Sequence, residues 1–172
     1  LSPFSGRSTD TDVVADLMIH DLDIVASVVE SPLLEVRAVG VPIITNEIDM
    51  ASARLEFDNG CVVELSAGRS SLEPSRKIRF ITPSRYISID YEAKEVKCVK
   101  RTESEHGVSI SIEPHTVAPY DQLEAQFDAF YQSCKNNAPV VVDGEAGTRA
   151  LQLAERVKET IKAHQERLRT NQ

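Results

Sequence analysis

The chain has 172 residues, of which 41% are hydrophobic and 27% are charged, and its formal net charge is -8. Its size and composition are typical of a single globular domain, and no apolar run approaches the roughly 20 residues that cross a bilayer. The acidic balance opposes sequence-independent attraction to a phosphate backbone. We therefore expect neither a membrane protein nor a nucleic-acid partner.

Residues 9–30 are predicted to form the first helix, because apolar residues recur there every three or four positions. Thr9 or Asp10 is the expected N-cap. The helix should end before Pro32, because proline cannot continue a helix and restricts the residue before it. The apolar stripe consists of Val14, Met18, Leu22, Val25 and Val29.

Between Leu34 and Ile112 the hydrophobic period falls to two, and β-branched and aromatic residues cluster between turn signals. This pattern predicts a sheet, in which Asn59 and Gly60 adopt the positive φ angles of a tight hairpin. Short connections indicate antiparallel neighbours. The seven predicted strands are 35–44, 48–57, 61–69, 76–81, 86–91, 95–100 and 108–113.

Two of these strands have one apolar and one mixed face. The apolar face, expected to pack on helices, carries Ala51, Ala53, Leu55, Phe57, Val63, Leu65 and Ala67. The mixed face carries Ser52, Arg54, Glu56, Glu64 and Ser66. From the pattern alone it is either plain solvent surface or a flat surface that meets another subunit.

Two further helices are predicted over 121–136 and 145–165. Their expected apolar stripes are Leu123, Phe127, Phe130 and Tyr131 on the first, and Leu151, Ala154, Val157 and Ile161 on the second. The predicted architecture is an α+β domain, with an open, mostly antiparallel sheet and its helices on one face.

The cysteines indicate the compartment. Cys61, Cys98 and Cys134 are odd in number and lack the CxxC spacing of a zinc or redox site. We interpret them as buried thiols of a cytoplasmic protein. Leu1 is not an initiator methionine, and no secretory signal follows it, so we expect the sequence to begin at a domain boundary.

The first helix carries the residues that suggest chemistry. Asp12, Asp16, His20 and Asp23 form a polar stripe, so a carboxylate lies one turn before an imidazole. Such a carboxylate can orient the ring and select its tautomer, as a general acid or base requires. A solvated helix surface is the alternative interpretation. No second histidine lies nearby, so we expect no metal in this chain.

Residues 16–23, Asp-Leu-Met-Ile-His-Asp-Leu-Asp, resemble the D-x-G-x-H-x-x-D helix signature of the glucose-fructose oxidoreductase and inositol dehydrogenase (Gfo/Idh/MocA) family. Residues 119–127, 138–145 and 150–155 look like the family's closing pattern of a helix, a Pro-x-V-x-G-x-x-G connection and a last long helix. Both motifs occur in the family's order with hairpin strands between them. The resemblance therefore covers nearly the whole chain.

The resemblance implies that residues 1–172 are the C-terminal domain of such an enzyme, which binds substrate and forms dimers or dimers of dimers through its open sheet. In the family, hydride passes between an alcohol carbon of the substrate and C4 of NAD or NADP, while a histidine takes the hydroxyl proton. By motif position His20 is that general acid/base, and Asp16 contacts the substrate and helps to hold the ring. Asp21 and Asp23 are interpreted as structural.

Two positions bear on the substrate. Met18 stands where the family usually has glycine, so its side chain either narrows the pocket or packs inward. Arg7 is either a bidentate donor to a substrate anion or a solvated loop residue. Residues 5–9 together with 16–20 resemble family members that oxidise the 3-hydroxyl of a UDP-linked N-acetylhexosamine. Other polyols, inositols and free sugars stay open.

The family's Gly-rich turn and its Glu-Lys-Pro motif belong to an N-terminal Rossmann domain, and neither occurs in this sequence. We therefore expect no cofactor-binding residues here, and this fragment alone to be inactive. The full-length protein is expected to be an NAD(P)-dependent dehydrogenase of a sugar or nucleotide-sugar and a homodimer. The alternative is a non-catalytic module that dimerises through its sheet.

Overall fold

The computed structural model describes residues 1–104, 107–115, 117 and 121–170. The chain divides into two compact units, one formed by Leu1–Glu73 with Pro139–Gln172 and the other by Pro74–Ala138. Among the described helices, none combines the length and the apolar character that crossing a membrane requires.

The elements follow the predicted order of one helix, a run of hairpin strands and two closing helices. In chain order they are a π-helical turn (Val14–Met18), α1 (Ile19–Val28), β1 (Leu33–Val41), β2 (Met50–Phe57), β3 (Val62–Gly68), β4 (Lys77–Ile81), β5 (Arg85–Asp90), β6 (Glu95–Ser104), β7 (Gly107–His115), α2 (Gln122–Asn136) and α3 (Gly144–Thr170). The fold class is confirmed as α+β with open antiparallel sheets.

The expectation of one seven-stranded sheet is wrong, because the strands form two sheets with the orders β1-β2-β3 and β4-β5-β6-β7. Each neighbouring pair is antiparallel. The chain leaves the ladder after Arg69, whose N–H still donates to the carbonyl of Asp49 and whose side chain is buried. Pro74 in the segment that follows has no N–H to donate to a ladder.

The first helix starts later than predicted. Asp12 is the N-cap, and its Oδ1 accepts hydrogen bonds from the N–H groups of Val14 and Ala15, both at 2.9 Å. Neither Thr9 nor Asp10 caps the helix, because the backbone turns before it: Ser8 has a φ of 51° and the N–H of Thr11 donates to its carbonyl at 3.3 Å.

The predicted hairpin between β2 and β3 exists, but only one of its two residues has a positive φ. Gly60 has a φ of 80°, and its N–H donates to the carbonyl of Phe57 at 2.9 Å. The side chain of Asn59 instead accepts a hydrogen bond from the N–H of Cys61 at 3.0 Å. The turn is therefore stabilised by an asparagine side chain before the strand resumes.

The core of the first unit lies between α1, α3 and one face of β1–β3. The apolar face predicted for β2 and β3 is confirmed, with Leu55 fully buried and Phe57 4% exposed. On α3, Ala150 takes the inward position predicted for Leu151, which is 51% exposed. Steps of four, three and four residues carry the buried stripe from Ala150 through Ala154 and Val157 to Ile161.

The second unit contains the four-stranded sheet and α2. Asp121 caps α2 through hydrogen bonds from two backbone N–H groups. The predicted apolar stripe of α2 is exposed rather than inward, with Leu123 76% and Phe127 71% exposed. The cysteine prediction is partly wrong, since Cys98 is buried and Cys61 half-buried, but Cys134 on α2 is exposed.

Candidate active site

The three predicted site residues lie around the start of the first helix. Arg7 is exposed in the entering loop, Asp16 is half-buried in the π-helical turn, and His20 is exposed in the first turn of α1. Within the part of the chain that the structure describes, their side chains have no hydrogen-bond or ion-pair partner. All three are therefore available to a ligand.

A π-helical turn carries Asp16, where the sequence predicts a regular helix. The N–H of Ile19 reaches back five residues to the carbonyl of Val14, which widens this turn by one residue. The backbone returns to regular α-helix at Ile19, immediately before His20. Single π turns inside α-helices are rare and are frequently found at functional sites. The imidazole of His20 thus projects from a regular α-helix, and the carboxylate of Asp16 projects from the widened π turn.

Met18 stands where the family signature usually has glycine, and the structure shows which way its side chain points. Its side chain is fully buried in the core cluster together with Val14 and Leu22, its neighbours on the apolar stripe. It therefore packs inward, and does not occupy the exposed side of the helix where His20 lies.

Several contacts fix where this helix begins. Asp12 caps it, and the N–H of Val13 donates to the carbonyl of Ile48 at 2.9 Å. Lys158 of α3 approaches Asp12 Oδ2 at 3.5 Å. The hydrogen bond that Lys158 donates to Glu155 raises the pKa of Lys158, partial burial lowers it, and the charge of Asp12 raises it further. Asp12 of the predicted polar stripe is thus a structural residue.

Behind the helix start lies a buried ion pair that the sequence analysis did not single out. Asp49 is fully buried and Arg69 is 4% exposed, with Arg69 Nε 3.5 Å from Asp49 Oδ1. Asp49 Oδ2 accepts hydrogen bonds from the N–H groups of Ile43, Ile44 and Thr45 at 2.6–2.8 Å. The guanidinium donates to the carbonyls of two residues in the loop before the helix.

The strand period contains a signal for this pair. Asp49 lies two residues before Ala51, the first of the buried row on β2, and Arg69 lies two residues after Ala67 on β3. Both charged residues therefore fall in step with a buried row. Charged side chains are almost never fully buried unless they are paired, so two of them in an apolar register predict a partner for each.

We expect Asp49 to stabilise the fold in a pH-dependent way. Burial would raise its pKa, but the hydrogen bonds from Thr45, Ile43 and Ile44 outweigh burial and hold the pKa well below its usual range. Because the folded pKa lies below the unfolded value of about 3.9, this contribution is complete above that pH and is lost as the pH falls through the folded pKa.

The measurement is the urea midpoint of unfolding as a function of pH. Asp49→Asn should be less stable than the wild type at neutral pH, and the difference should shrink on acidification below about pH 4. Glu73→Gln, which alters an exposed carboxylate, is the matched control and should follow the wild-type curve. A constant difference between Asp49→Asn and wild type across this range would contradict the interpretation.

A cavity of about 700 Å³ lies elsewhere in the first unit, between the C-terminal end of α1, the start of β1 and the first turns of α3. Its lining is largely apolar and includes Ala26, Val29, Leu33 and Leu151. The cavity is lined by neither Asp16 nor His20, so the structure does not bring the predicted catalytic pair into it.

Among the described side chains, one group has ligand atoms close enough to share a cation. A sulfur of Cys98, an oxygen of Glu113 and a nitrogen of His115 lie within 4.8 Å of one another on β6 and β7. Lys100 Nζ already lies 4.0 Å from the Glu113 carboxylate, so a positive charge is present there without a metal. The chain's predicted chemistry does not use this group.

The sequence matches the family described as "Oxidoreductase family, C-terminal alpha/beta domain" (GFO_IDH_MocA_C) over residues 7–167. It is 36% identical over 169 residues to the UDP-N-acetylglucosamine 3-dehydrogenase of Acidithiobacillus ferrooxidans. This alignment covers 97% of this chain and 54% of that protein. A solved structure of that dehydrogenase superposes with a TM-score of 0.85, covering 94% of this chain and 51% of that one.

More distant structures share the fold. An NAD-binding protein from Listeria innocua has a TM-score of 0.73 at 19% identity, over 95% of this chain and 50% of that one. Levoglucosan dehydrogenase in complex with NADH has a TM-score of 0.72 at 14% identity, over 88% of this chain and 48% of that one. The chain thus spans about half the length of these relatives. It belongs to the Gfo/Idh/MocA oxidoreductase family, whose C-terminal α/β domain it matches over nearly its whole length.

Proposed function

We propose that this chain is the substrate-binding half of an NAD(P)-dependent dehydrogenase that oxidises a secondary hydroxyl of a sugar or nucleotide-sugar, with His20 as the general acid/base. The observation that carries the proposal is the first helix. It presents an imidazole and a carboxylate that have no partner among the described residues, at the junction of a π turn with α1, on a backbone held by buried contacts. The family match supports the same reaction class.

The described residues do not form a dinucleotide site of the Rossmann kind. Gly144 and Gly147 are the only closely spaced glycines, and they open α3 after an irregular connection rather than after a strand. A phosphate-binding turn requires strand, Gly-rich turn and helix in that order. We propose that NAD or NADP binds in another domain of the full-length protein, where the nicotinamide would accept the hydride.

The residues of this chain then have separate roles. His20 accepts the hydroxyl proton as the alcohol carbon is oxidised, and returns it in the reverse reaction. Asp16 hydrogen-bonds the substrate; because no hydrogen bond joins it to His20 in the described structure, it restrains the imidazole only once substrate is bound. Arg7, exposed in the entering loop, donates two parallel hydrogen bonds to an anionic group of the substrate.

We propose a UDP-linked N-acetylhexosamine as substrate, oxidised at its 3-hydroxyl. The support is the 36% identity to a UDP-N-acetylglucosamine 3-dehydrogenase, which extends over 97% of this chain. A nucleotide diphosphate also provides the anion that Arg7 requires. The full-length protein is assayed for nicotinamide reduction with UDP-N-acetylglucosamine, inositols and free hexoses. Turnover with inositols or hexoses alone would contradict the nucleotide-sugar assignment.

The isolated chain should bind neither NAD nor NADP tightly, because its sequence contains no Gly-rich phosphate-binding turn. Calorimetric titration of residues 1–172 with each dinucleotide tests this directly, with the full-length protein as the positive control. We expect no binding in the micromolar range for the fragment. Micromolar binding to the fragment would show that the cofactor site lies at least partly in this chain.

We also propose that the protein forms a homo-oligomer through the outer face of the four-stranded sheet. In the ladder, Ile81 pairs with Tyr86 and Val99 pairs with Ile112, so these residues share one face. Ile81 is 77% and Ile112 is 74% exposed, as expected for a face that a second copy covers. The same face carries both charge signs: Arg79, Lys97 and Arg101 with Glu95 and Glu103.

The mixed face of β2 and β3, which the sequence left open, is a weaker candidate. Arg54 on that face already bridges Glu56 at 2.9 Å and Glu64 at 3.3 Å. Its charges are thus satisfied within the chain.

Ile112→Asp in the full-length protein tests the interface on the four-stranded sheet. It should dissociate the oligomer, because it places an unpaired charge in an apolar contact. Sedimentation velocity is the measurement. Leu72→Asp, at a 97% exposed leucine, is the control and should leave the assembly intact. An unchanged sedimentation coefficient for Ile112→Asp would contradict the proposed interface.

A further inference from the structure

We propose that Arg69, held by Asp49, is a positioning residue for the helix that carries Asp16 and His20. This inference rests on the proposed function, since it concerns how that site is held. Among the described contacts, the buried guanidinium of Arg69 touches neither the Asp16 nor the His20 side chain. It acts on the backbone that precedes the helix, from the buried end of β3.

The guanidinium fixes the loop at two points. Its Nη1 donates to the carbonyl of Ser8 and its Nη2 to the carbonyl of Thr11. Ser8 has a positive φ of 51°, which a residue with a side chain rarely adopts and which surrounding contacts must maintain. Arg7 lies immediately before this clamp and the capping residue Asp12 immediately after it.

Asp49 connects the clamp to the helix itself. Its carbonyl accepts a hydrogen bond from the N–H of Arg69 at 3.0 Å, and its carboxylate lies against the same residue's guanidinium. The preceding carbonyl, that of Ile48, accepts the N–H of Val13 at 2.9 Å. One short segment therefore orients Arg69 and also holds the first residue of the helix, directly before the π turn that carries Asp16.

Stabilisation of the fold alone does not account for the contacts of Arg69 and Asp49. Replacing a buried ion pair by apolar residues is often neutral or stabilising, so stability alone does not explain the pair. Two carbonyls bound by one planar fork define both the place and the direction of the loop, which a single point charge does not. Catalysis is sensitive to such placement, because a shift of about 1 Å can reduce the rate by about a hundredfold.

The experiment uses Arg69→Lys in the full-length protein, which keeps the charge but cannot bind both carbonyls with a rigid fork. We expect kcat with UDP-N-acetylglucosamine to fall by about tenfold to a hundredfold, with the protein still folded at the assay temperature. The matched control is Ile161→Val, a core change in the same unit that lowers stability without touching the loop. It should retain the wild-type kcat.

A second arm separates positioning from general damage. If Arg69 acts through His20, adding Arg69→Lys to His20→Gln should cause no further loss of kcat, whereas an independent role predicts that the two losses multiply. A folded Arg69→Lys protein with wild-type kcat would overturn the inference, as would multiplying losses. If His20→Gln alone leaves kcat unchanged, the proposed function fails instead.

Asp49→Asn is the second variant, in case Arg69→Lys does not fold. It keeps an oxygen acceptor for the loop N–H groups and removes the charge that holds Arg69. The expected result is the same fall in kcat and the same lack of additivity with His20→Gln. If neither variant folds, the inference is overturned, because the pair is then required for the fold itself rather than for placing the helix.

Discussion

His20→Gln in the full-length protein should lower turnover by about a hundredfold or more, because removing a general acid/base typically costs factors of about 10² to 10⁴. Glutamine keeps much of the size and polarity of the imidazole but cannot take up a proton near neutral pH. His20 is exposed and unpaired within the described chain, so its replacement should leave the fold and the oligomer intact. Nicotinamide reduction at saturating substrate is the measurement.

His164→Gln is the matched control for this prediction. His164 lies on α3, also in a helix, and has no role in the proposed site. It should retain wild-type turnover. If both variants turn over like the wild type, His20 is not the general acid/base. The better interpretation is then that this chain serves only for assembly through its sheet.

The second large effect concerns stability. Leu55→Ala should lower the free energy of unfolding by about 2–5 kcal/mol, because it removes a fully buried side chain and leaves a cavity in a packed core. Leu55 lies at the centre of the buried face of β2, opposite Val36 on β1 and Val63 on β3. Urea denaturation of Leu55→Ala and of the wild type measures the difference between their free energies of unfolding.

Leu72→Ala is the control for the core prediction. Leu72 is 97% exposed, so its truncation removes almost no buried surface and should change the free energy of unfolding by no more than about 0.5 kcal/mol. Equal losses from Leu55→Ala and Leu72→Ala would mean that the face of β2 is not the core of this unit.

Much of the fold was predictable because strands and helices repeat with different periods. The alternation in β2 and β3 placed Leu55 and Phe57 inward, and the structure confirms both. The same reasoning failed for α2, whose stripe is apolar at the right spacing yet exposed at Leu123 and Phe127. An apolar pattern shows which side of a helix favours burial, but it does not specify what packs there.

Candidate site residues could be named from the sequence, whereas the contacts that hold their helix could not. The spacing of Asp16 and His20 identified the polar side of the first helix, and the family resemblance assigned their roles. The π turn was not visible, because apolar residues every three or four positions fit both a regular and a widened helix. The contacts of Arg69 with the loop join residues about 60 positions apart, and no local pattern reports such a contact.

In the proposed reaction, the first helix presents a proton-transferring imidazole to the substrate. The most direct test of this role is chemical rescue of His20→Gly in the full-length protein by added imidazole, with His164→Gly as the control. Because His20 is exposed, free imidazole can reach its place. We expect His20→Gly to be nearly inactive and to regain turnover, with saturation, as imidazole is added. Wild-type turnover of His20→Gly, with no response to imidazole, would contradict it.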